Sequence, residues 1–585
     1  MEKRVLLAIL LSFVVLYGYQ AMFPPPEPQK TSASQPPAPG GSAAPSPAPT
    51  TAAPTATPPA PERAPVEAPA GPPAAAPVTG DTQEREIAFE NGSVRAVFSN
   101  RGGVITSWRL KKYLNAAKEP LELVPHDVPP GLPKPFTLSV EDAADSKTLA
   151  SALYRSTAAS VDASTGPQTL SFDYEEAGGL SVHKEFRFDP ASPYVLHFTA
   201  TVTKGSTPLV PTIEWGPGIG TNLEVNTRGY HAPPQPIYYV DGEVERIAAS
   251  SVATVADQQG TYGFAGVDDH YFLSAAVNPG APLHLKYQIV PMTAKDPAED
   301  PPPPYIAWSA TFPSAPSGAT FFFGPKDFDV LAAVNRDLVR AIHFGMFSWL
   351  VVPLLRALKW INVYIGNYGW SIIALTVLIN LVMFPLRHKS VVSMRRMQEI
   401  QPQVKAIQDR YAHLKMTDPS RQNMNKEMMQ LYKERGVNPA SGCVPMLLTL
   451  PVLFAFYAML SVAIELRGAP FIGWIKDLSV HDPLFITPVL MGITQFVQTK
   501  MTPSTADPAQ QKVMMFMPLL FMFMFVWAPS GLVLYWTVSN LWAIGQQAIT
   551  NRIIGPPPVH TVRPPAERRV KNAGAGRSIA AKERK

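Results

Sequence analysis

Residues 368–386 read YGWSIIALTVLINLVMFPL and contain no charged side chain. Nineteen such residues, at about 1.5 Å each, are enough for a helix that crosses the hydrocarbon core of a bilayer. Arg387, His388 and Lys389 follow immediately, and basic residues are typical of the cytoplasmic ends of membrane spans. The stretch therefore predicts a transmembrane helix whose carboxyl end faces the cytoplasm.

Five other segments have a similar composition. Some are short, so a span there requires tilt or local thinning of the bilayer. Residues 1–23 are interpreted as an uncleaved anchor rather than a cleaved signal peptide, because large side chains occupy the region where a cut site needs small ones. The complete set of predicted spans is residues 5–23, 368–386, 443–464, 483–498, 513–527 and 532–549.

The distribution of charge indicates which side of the membrane each segment faces. Residues 387–442 carry 11 basic and 5 acidic side chains, and residues 552–585 carry 9 and 2. Cytoplasmic loops are rich in Lys and Arg. Six spans with a cytoplasmic amino terminus place both basic segments in the cytoplasm, and the long region between the first two spans outside.

That long region changes character after the anchor. Nineteen of the 64 prolines fall within the 57 residues after Phe23, and this composition predicts a disordered linker over residues 24–83. Apolar and polar side chains then alternate, as at Ile87 and Phe89. This pattern predicts a large all-β sandwich over residues 84–326.

Residues 327–366 combine apolar side chains with several Arg and Lys, and they include Pro353. This composition is unfavourable for a membrane span. It predicts amphipathic helices that lie at the outer surface of the membrane.

Residues 388–436 have the pattern of a helical hairpin. Apolar residues recur at alternating steps of three and four from Met397 to Leu414, which is typical of a narrow packing seam. Asp418-Pro419 is typical of a helix start, and Gly436 of a helix end. The sequence leaves open whether this hairpin is a solvated connector or a docking surface. The length of the segment favours docking, and its basic faces suit ribosomal RNA or lipid headgroups.

Polar side chains recur along one face of three predicted spans. Such groups tend to face a bundle interior or a water-filled cavity. Hydrogen bonding between helices explains each residue singly, whereas three helices together favour a shared polar cavity that opens to the cytoplasm. The residues are Thr376, Asn380, Arg387, Gln495, Trp536, Asn540 and Gln547.

Several protein classes are excluded by what the sequence lacks. The single Cys443 rules out a disulfide framework and a zinc site of spaced cysteines. The eleven His are scattered, and phosphate-loop, GxSxG and GxGxxG motifs are absent. The simple soluble enzyme classes therefore lose most of their support, and we expect no cofactor and no metal.

Three separated groups of motifs carry a family resemblance. They are NPASGCVP at 438–445, APF at 469–471 with WIKDLS at 474–479, and PSGLVLYW at 529–536 with SNL at 539–541. Together they resemble the YidC/Oxa/Alb family of membrane protein insertases, in its Gram-negative YidC form. The resemblance also covers the order of anchor, linker, β domain, hairpin, bundle and basic tail.

The resemblance implies a multi-pass protein of the bacterial inner membrane. It implies a periplasmic β-supersandwich domain and an all-α insertase core of five spans over residues 367–551, with both termini cytoplasmic. The implied function is to insert and help fold nascent membrane proteins, alone or with the Sec translocon, through a hydrophilic groove open to cytoplasm and lipid. Hairpin 388–436 and tail 552–585 are expected to contact ribosomes or anionic lipids.

The resemblance also assigns roles to individual positions. In the family, the groove holds a basic residue five positions before a proline. Pro385 marks that proline here, and Asn380 occupies the basic position. Arg387 lies two turns further along the same face and is our candidate replacement. The remaining groove positions implied by the family are Thr376, Thr449, Trp527 and Trp536.

Two other classes of function remain open from the residues alone. The polar stripes are compatible with a transporter or channel, which would predict an inverted repeat that the sequence does not show. A large β sandwich is compatible with a membrane-tethered glycan-active enzyme, although fold alone does not establish one.

Overall fold

The computed structural model describes residues 77–554, except 116, 127, 130, 220–231, 255, 292–303, 314–318, 412–420, 437–443 and 503–507. These residues form a β domain followed by a helical region, which confirms the predicted fold class. The predicted anchor 1–23, the predicted linker up to residue 76, and the basic tail after residue 554 lie outside the described residues.

The β domain is built from short strands, and its described residues also include helix α1 (Ala143–Ser151) and a 3-10 turn at Ala249–Thr254. The strands are β1 (Pro77–Thr79), β2 (Glu86–Glu90), β3 (Val94–Ser99), β4 (Val104–Leu114), β5 (Pro120–Glu122), β6 (Thr137–Ser139), β7 (Arg155–Ser156), β8 (Ser160–Asp162), β9 (Gln168–Glu176), β10 (Leu180–Phe188), β11 (Val195–Lys204), β12 (Thr207–Leu209), β13 (Thr212–Pro217), β14 (Gln235–Val240), β15 (Glu243–Arg246), β16 (Asp257–Gly260), β17 (Phe264–Asp268), β18 (Phe272–Val277), β19 (Leu283–Val290), β20 (Tyr305–Thr311) and β21 (Ala319–Pro325).

Three sheets arrange these strands within the described residues. The largest runs β1-β9-β10-β11-β21-β18-β17-β14-β15, with β12 beside β11 and β7 beside β9. The others run β16-β19-β20-β13-β6 and β5-β4-β3-β2-β8. Because Pro77 and Thr79 pair with Glu176 and Glu175, the β domain begins before the predicted boundary at residue 84. The proline-rich composition led to the prediction of a linker at these residues. Pro is nevertheless tolerated in an edge strand, and β1 lies at the edge of its sheet.

Side chains that alternate between apolar and polar in the sequence are alternately buried and exposed in the sheets. Ile87 and Phe89 are fully buried, while the residues between and beside them in β2 are exposed. The ring of Phe89 stacks on Phe188 at 4.1 Å between centroids. Trp108 closes the same core, and its indole Nε1 donates to the carbonyl of Phe323 at 3.0 Å. The core is therefore largely aromatic, and the indole N–H of Trp108 is paired within it.

A buried lysine lies inside this core. The Lys184 Nζ donates to the carbonyls of Gly102 at 2.6 Å and Phe136 at 2.8 Å, and it lies 3.3 Å from the carbonyl of Gly103. Burial lowers the pKa of Lys184 to about 7, because the charged form is costly away from water. The amine joins β10 to the loops before β4 and β6.

The helical region follows β21. Short 3-10 turns lie at Leu338–Ala341 and Ile464–Leu466. The helices are α2 (Phe328–Val334), α3 (Ser348–Ile365), α4 (Tyr368–Arg410), α5 (Arg421–Glu434), α6 (Val444–Val462), α7 (Ile486–Met501), α8 (Pro508–Met524) and α9 (Ser530–Ile554).

Helix α4 differs from the sequence prediction in its length. It runs through 43 residues, so the predicted span 368–386 and the first arm of hairpin 388–436 form one helix. The change from apolar to charged residues at Arg387 does not end it, because backbone hydrogen bonds within a helix are local. In the part of the chain that is described, α4 alone is long and apolar enough to cross a membrane. Residues 451–462 and 511–524 form shorter apolar stretches.

The hairpin is held by a small apolar cluster. Ile400 and Val404 of α4 are buried against Met428 and Leu431 of α5. Beyond this cluster, the Glu427 carboxylate accepts from Arg410 Nη2 and from the Tyr411 hydroxyl, both at 2.8 Å. The seam predicted from the spacing of apolar residues is the surface along which the two helices pack.

An ionic cluster joins the helices that follow the β domain. Lys359 of α3 lies 2.6 Å from Asp329 and 3.4 Å from Asp327 at the start of α2, and 3.1 Å from Glu465 after α6. Burial raises the pKa of Glu465, and Lys359 opposes that rise. The His270 Nε2 makes a further contact of 2.7 Å with the carbonyl of Ser461.

The low pKa of Lys184 predicts a pH-dependent stability. Between about pH 7 and the ordinary lysine value of 10.5, the unfolded chain keeps a proton that the folded chain has released. Stability relative to Lys184→Met should therefore rise with pH, by up to about 1.4 kcal/mol per pH unit. Urea denaturation of both full-length proteins in detergent, followed by tryptophan fluorescence from pH 7 to 9.5, measures this difference. A constant difference over that range would contradict the assignment.

Candidate functional site

A chain of hydrogen bonds runs along one face of α4. The Thr376 hydroxyl donates to the carbonyl of Ile372 at 2.6 Å, and the Asn380 amide donates to the carbonyl of Thr376 at 2.8 Å. The Arg387 Nη1 then donates to Asn380 Oδ1 at 2.7 Å. Thr376 and Asn380 are buried, whereas Arg387 is half-buried. The guanidinium therefore reaches back to the position where the family resemblance places a basic residue.

The residue types account for this contact. Asn has a donor and an acceptor on one amide, so it can satisfy a backbone carbonyl and a guanidinium at once. Positions 376, 380 and 387 fall on the same side of a helix. Arg has five N–H donors, and Asn380 is its hydrogen-bond partner among the described residues. Most of its donors have no partner among the described residues.

A second group of polar contacts joins α7 to α9. The Trp536 Nε1 donates to Gln495 Oε1 at 2.9 Å, and the Asn540 amide donates to the Thr494 hydroxyl at 3.3 Å. The Trp536 ring also packs against Phe525, which lies in the turn between α8 and α9, with centroids 5.0 Å apart. These three predicted site residues therefore act as hydrogen-bonding links between helices.

Gln547 belongs to a third group. Its amide donates to Asn551 at 2.9 Å, and Asn551 also accepts from Arg395 of α4. Within the described residues, no hydrogen bond joins this group to the hydrogen-bonded series of Thr376, Asn380 and Arg387. None joins the α7–α9 links to that series either. The structure thus brings the predicted polar residues together as three separate groups.

Two further predicted site residues, Trp527 and Thr449, are not part of these three groups. Trp527 follows the end of α8, and its ring lies edge-on to Phe523 at 5.9 Å. Thr449 lies in α6, and its side chain is outside the described part of the chain.

Sequence reasoning missed two positions that shape this region. Tyr535 stacks on Phe456 with centroids 4.3 Å apart, and this contact joins α9 to α6. Asp482 accepts from Trp474 Nε1 at 2.9 Å and from the Thr487 N–H at 2.7 Å, just before α7. Burial raises the pKa of Asp482, but these hydrogen bonds outweigh it and lower that pKa below its usual value. An Asp shortly before a helix is a recognisable capping signal.

Comparison with known proteins identifies the family. Residues 86–357 match the model of the YidC periplasmic domain, and residues 360–556 match the model described as 60Kd inner membrane protein. The membrane protein insertase YidC of Geobacter metallireducens is 36% identical over 95% of this chain and 99% of its own length. The chain belongs to the YidC family of membrane protein insertases.

Two further proteins are similar to this chain. The membrane protein insertase YidC of Geobacter sulfurreducens is 37% identical over 95% of this chain and 99% of its own length. A crystal structure of an active YidC insertase with its first transmembrane domain resolved aligns with 81% of this chain and 94% of that chain. That alignment has 19% identity and a TM-score of 0.33.

Family membership decides between the functions left open by the sequence. The chain is an insertase of the inner membrane with a periplasmic domain, and it acts on membrane-protein clients. It is not an enzyme, because members of the YidC family are insertases. The transporter and glycan-active alternatives are set aside on the same ground.

The link between Trp536 and Gln495 predicts a measurable coupling. Trp536→Phe and Gln495→Leu each remove one partner, and the double variant removes both. Hydrogen bonds between membrane helices contribute on average about 0.6 kcal/mol, so the double-mutant cycle should give a coupling free energy of about that size. Unfolding of the full-length protein in mixed micelles measures it. Strict additivity of the two single effects would show that the contact contributes nothing.

Proposed function

We propose that this insertase moves polar client segments along α4, and that Arg387 supplies the positive charge for this step. The observation that carries the proposal is the 2.7 Å hydrogen bond from Arg387 to Asn380. Asn380 stands where the family has a basic residue, and its amide holds the guanidinium two turns away. The charge is thereby retained on the same helix face, but displaced toward the cytoplasmic end.

The physical basis is the cost of desolvation. A polar or acidic client tail loses hydration when it enters hydrocarbon, and each charge there costs several kcal/mol, about 2.5–3.5 on insertion scales. A hydrated groove with one guanidinium lowers that cost in the first part of the passage. The apolar helix of the client then partitions into lipid, which supplies the driving force. Neither a nucleotide nor a covalent intermediate is needed.

The other predicted site residues have supporting roles in this proposal. Thr376 and Asn380 line the groove beside Arg387. Thr449, Trp527 and Trp536 contact the client, and Gln495, Asn540 and Gln547 hold the surrounding helices together. The Trp536–Gln495 link and the Gln547–Asn551 link support the holding role, because each satisfies polar atoms in a bundle of helices.

We also propose a six-span topology with both termini in the cytoplasm. It places hairpin 388–436 and tail 552–585 where ribosomes and anionic lipids are accessible, and it leaves the Sec translocon as a lateral partner in the membrane. The excess of basic residues in both segments supports this arrangement. The continuity of α4 supports it further, since the same helix contains an apolar half and a basic half.

Arg387 variants test the groove charge. Arg387→Ala should lower the insertion of a client with an acidic translocated tail roughly fivefold, the equivalent of about 1 kcal/mol for one lost charge interaction. Asn380→Ala should have a smaller effect, because the guanidinium remains. Complementation of cells depleted of their own insertase, with protease mapping of the client tail, measures both.

A charge-relocation variant sharpens this test. The double variant Asn380→Arg with Arg387→Ala should recover insertion, because it restores a cation to the position used elsewhere in the family. Arg396→Ala is the matched control, since Arg396 is an exposed arginine on the same helix. Equal losses for Arg387→Ala and Arg396→Ala, or no recovery in the double variant, would refute the role of Arg387.

Cysteine labelling tests the topology. In a Cys443→Ser background, a cysteine at the exposed Met429 of α5 should react with an impermeant maleimide only after the inner membrane is opened. A cysteine at the exposed Val78 of β1 should react once the outer membrane alone is permeable. The reverse order of labelling would invert the proposed topology.

A further inference from the structure

A polar cavity of about 460 Å³ lies on the β5-β4-β3-β2-β8 sheet. This volume is within the range of about 300–1,000 Å³ in which small ligands bind. On β3 the cavity is lined by Arg95, Val97 and Ser99. The residues between them, Ala96 and Phe98, are buried in the aromatic core, so the cavity lies on the outer face of the sheet. Its charged and titratable lining residues are Glu84, Glu86, Arg95, Arg109, His126 and Lys134.

Two arginines are neighbours at one end of the polar cavity. Arg95 lies directly opposite Arg109 of β4 in the antiparallel register, and like charges at such a pair of positions are destabilising. On its other side Arg95 lies opposite Glu90 of β2, but the Glu90 carboxylate is paired with Lys111. In the part of the chain that is described, the exposed Arg95 side chain makes no hydrogen bond or ion pair. Its guanidinium is therefore available to a ligand.

Arg109 is paired with a carboxylate that it shares with other donors. Its Nε lies 3.2 Å from Glu122 Oε2, and the Nε2 of His126 lies 3.4 Å from the same oxygen. The other oxygen of Glu122 accepts from the backbone N–H of Trp108 at 2.7 Å and from that of Val124 at 3.1 Å. Two guanidinium groups beside one shared carboxylate leave this end of the cavity positive.

The carboxylates that line the cavity lie toward its opposite end. Glu84 is held by Arg101 Nε at 2.9 Å and accepts from the Ser99 hydroxyl at 3.3 Å. Lys134 interacts electrostatically with Glu84 as well. Glu86 lies opposite Ser99, which is about 13 Å along β3 from the arginine pair. The charge of the cavity is therefore polarised, with the two arginines at one end and the partly neutralised carboxylates at the other.

The chemistry of the cavity narrows the choice of ligand. A planar guanidinium matches the two oxygens of a carboxylate, so two of them at one end select an anionic group there. No Trp, Tyr or Phe is among the described lining residues, so the cavity lacks the aromatic surface on which sugar rings commonly stack. These features favour an acidic peptide over a glycan.

The location of the β domain indicates the source of such a peptide. The domain matches the YidC periplasmic domain, so it lies on the side to which client segments are delivered. Translocated segments are poor in Lys and Arg, because positive residues are retained in the cytoplasm. Their charge is therefore set mainly by Asp and Glu, which complements the arginine end of the cavity.

We propose that the polar cavity binds an acidic stretch of a client segment after that segment has crossed the membrane. An Asp or Glu of the client pairs with Arg95 and Arg109 and relieves the repulsion between them. This inference rests on the proposed function, since the bound segment is the one that passes Arg387. Binding on the periplasmic side opposes the return of the segment to the cytoplasm.

Arg95→Gln tests this site directly, because the change leaves no described side chain without its partner. Full-length protein in nonionic detergent is titrated against a fluorescein-labelled peptide rich in Asp and Glu, and against the same peptide with Asn and Gln instead. Fluorescence anisotropy should show at least fivefold tighter binding of the acidic peptide to the wild type, and salt should weaken this preference. Arg95→Gln should weaken binding of the acidic peptide about threefold, and Arg95→Gln with Arg109→Gln about tenfold.

A matched variant and a competing ligand complete the experiment. Arg187→Gln removes an exposed arginine of β10 outside the cavity lining, and it should bind the acidic peptide like the wild type. Arg95→Gln should leave the stability to urea unchanged or raise it, because one member of a like-charged pair is gone. Equal affinity for the two peptides, equal loss in Arg187→Gln, or tighter binding of an acidic oligosaccharide than of the acidic peptide would overturn the proposal.

Peptide binding in detergent is measured independently of insertion. Weakened binding in Arg95→Gln together with unaffected insertion in Arg387→Ala would refute the groove charge and support this periplasmic site. Unchanged peptide binding in Arg95→Gln together with impaired insertion in Arg387→Ala would support the groove charge and overturn the site.

Discussion

The cost of removing a polar group from water governs the helical region of this insertase. Hydrocarbon contains no water that could pair with a hydrogen-bond donor or acceptor. A polar side chain there is therefore stable only when it is paired within the protein or with a ligand. The chain from Ile372 to Arg387 follows this requirement along a single helix. The links from α9 to α7 follow it between helices.

The same constraint explains how the helices that follow the β domain are held together. Lys359 lies among three carboxylates, which belong to the start of α2 and to the turn after α6. A buried cation without partners is strongly unfavourable, whereas one with several close carboxylates ties their elements together. These helices are therefore joined by directional contacts as well as by apolar packing, and the contact of His270 with the carbonyl of Ser461 links the β domain to α6.

The proposed groove charge lies at a different residue from the one that the family resemblance indicates. The relatives are about 36% identical over nearly the full chain, which is enough to preserve the order of all the parts. The family resemblance places a cation at residue 380, where this chain has an amide. The guanidinium of Arg387 contacts that amide, and in our proposal it supplies the charge.

The sequence alone determined the fold class, the order of domains and the family, because these depend on periodicity, composition and local motifs. Alternation at Ile87 and Phe89 was sufficient to predict buried strand faces, and apolar runs were sufficient to place helices. It did not reveal that α4 continues through Pro385, that Pro77–Thr79 joins a sheet, or that Arg387 bonds to Asn380. The polar residues of three helices looked alike in the sequence, yet the structure divides them into three groups. Only the tertiary structure could decide this, because the partner of a buried polar atom depends on which elements pack together, and those contacts join residues far apart in the chain.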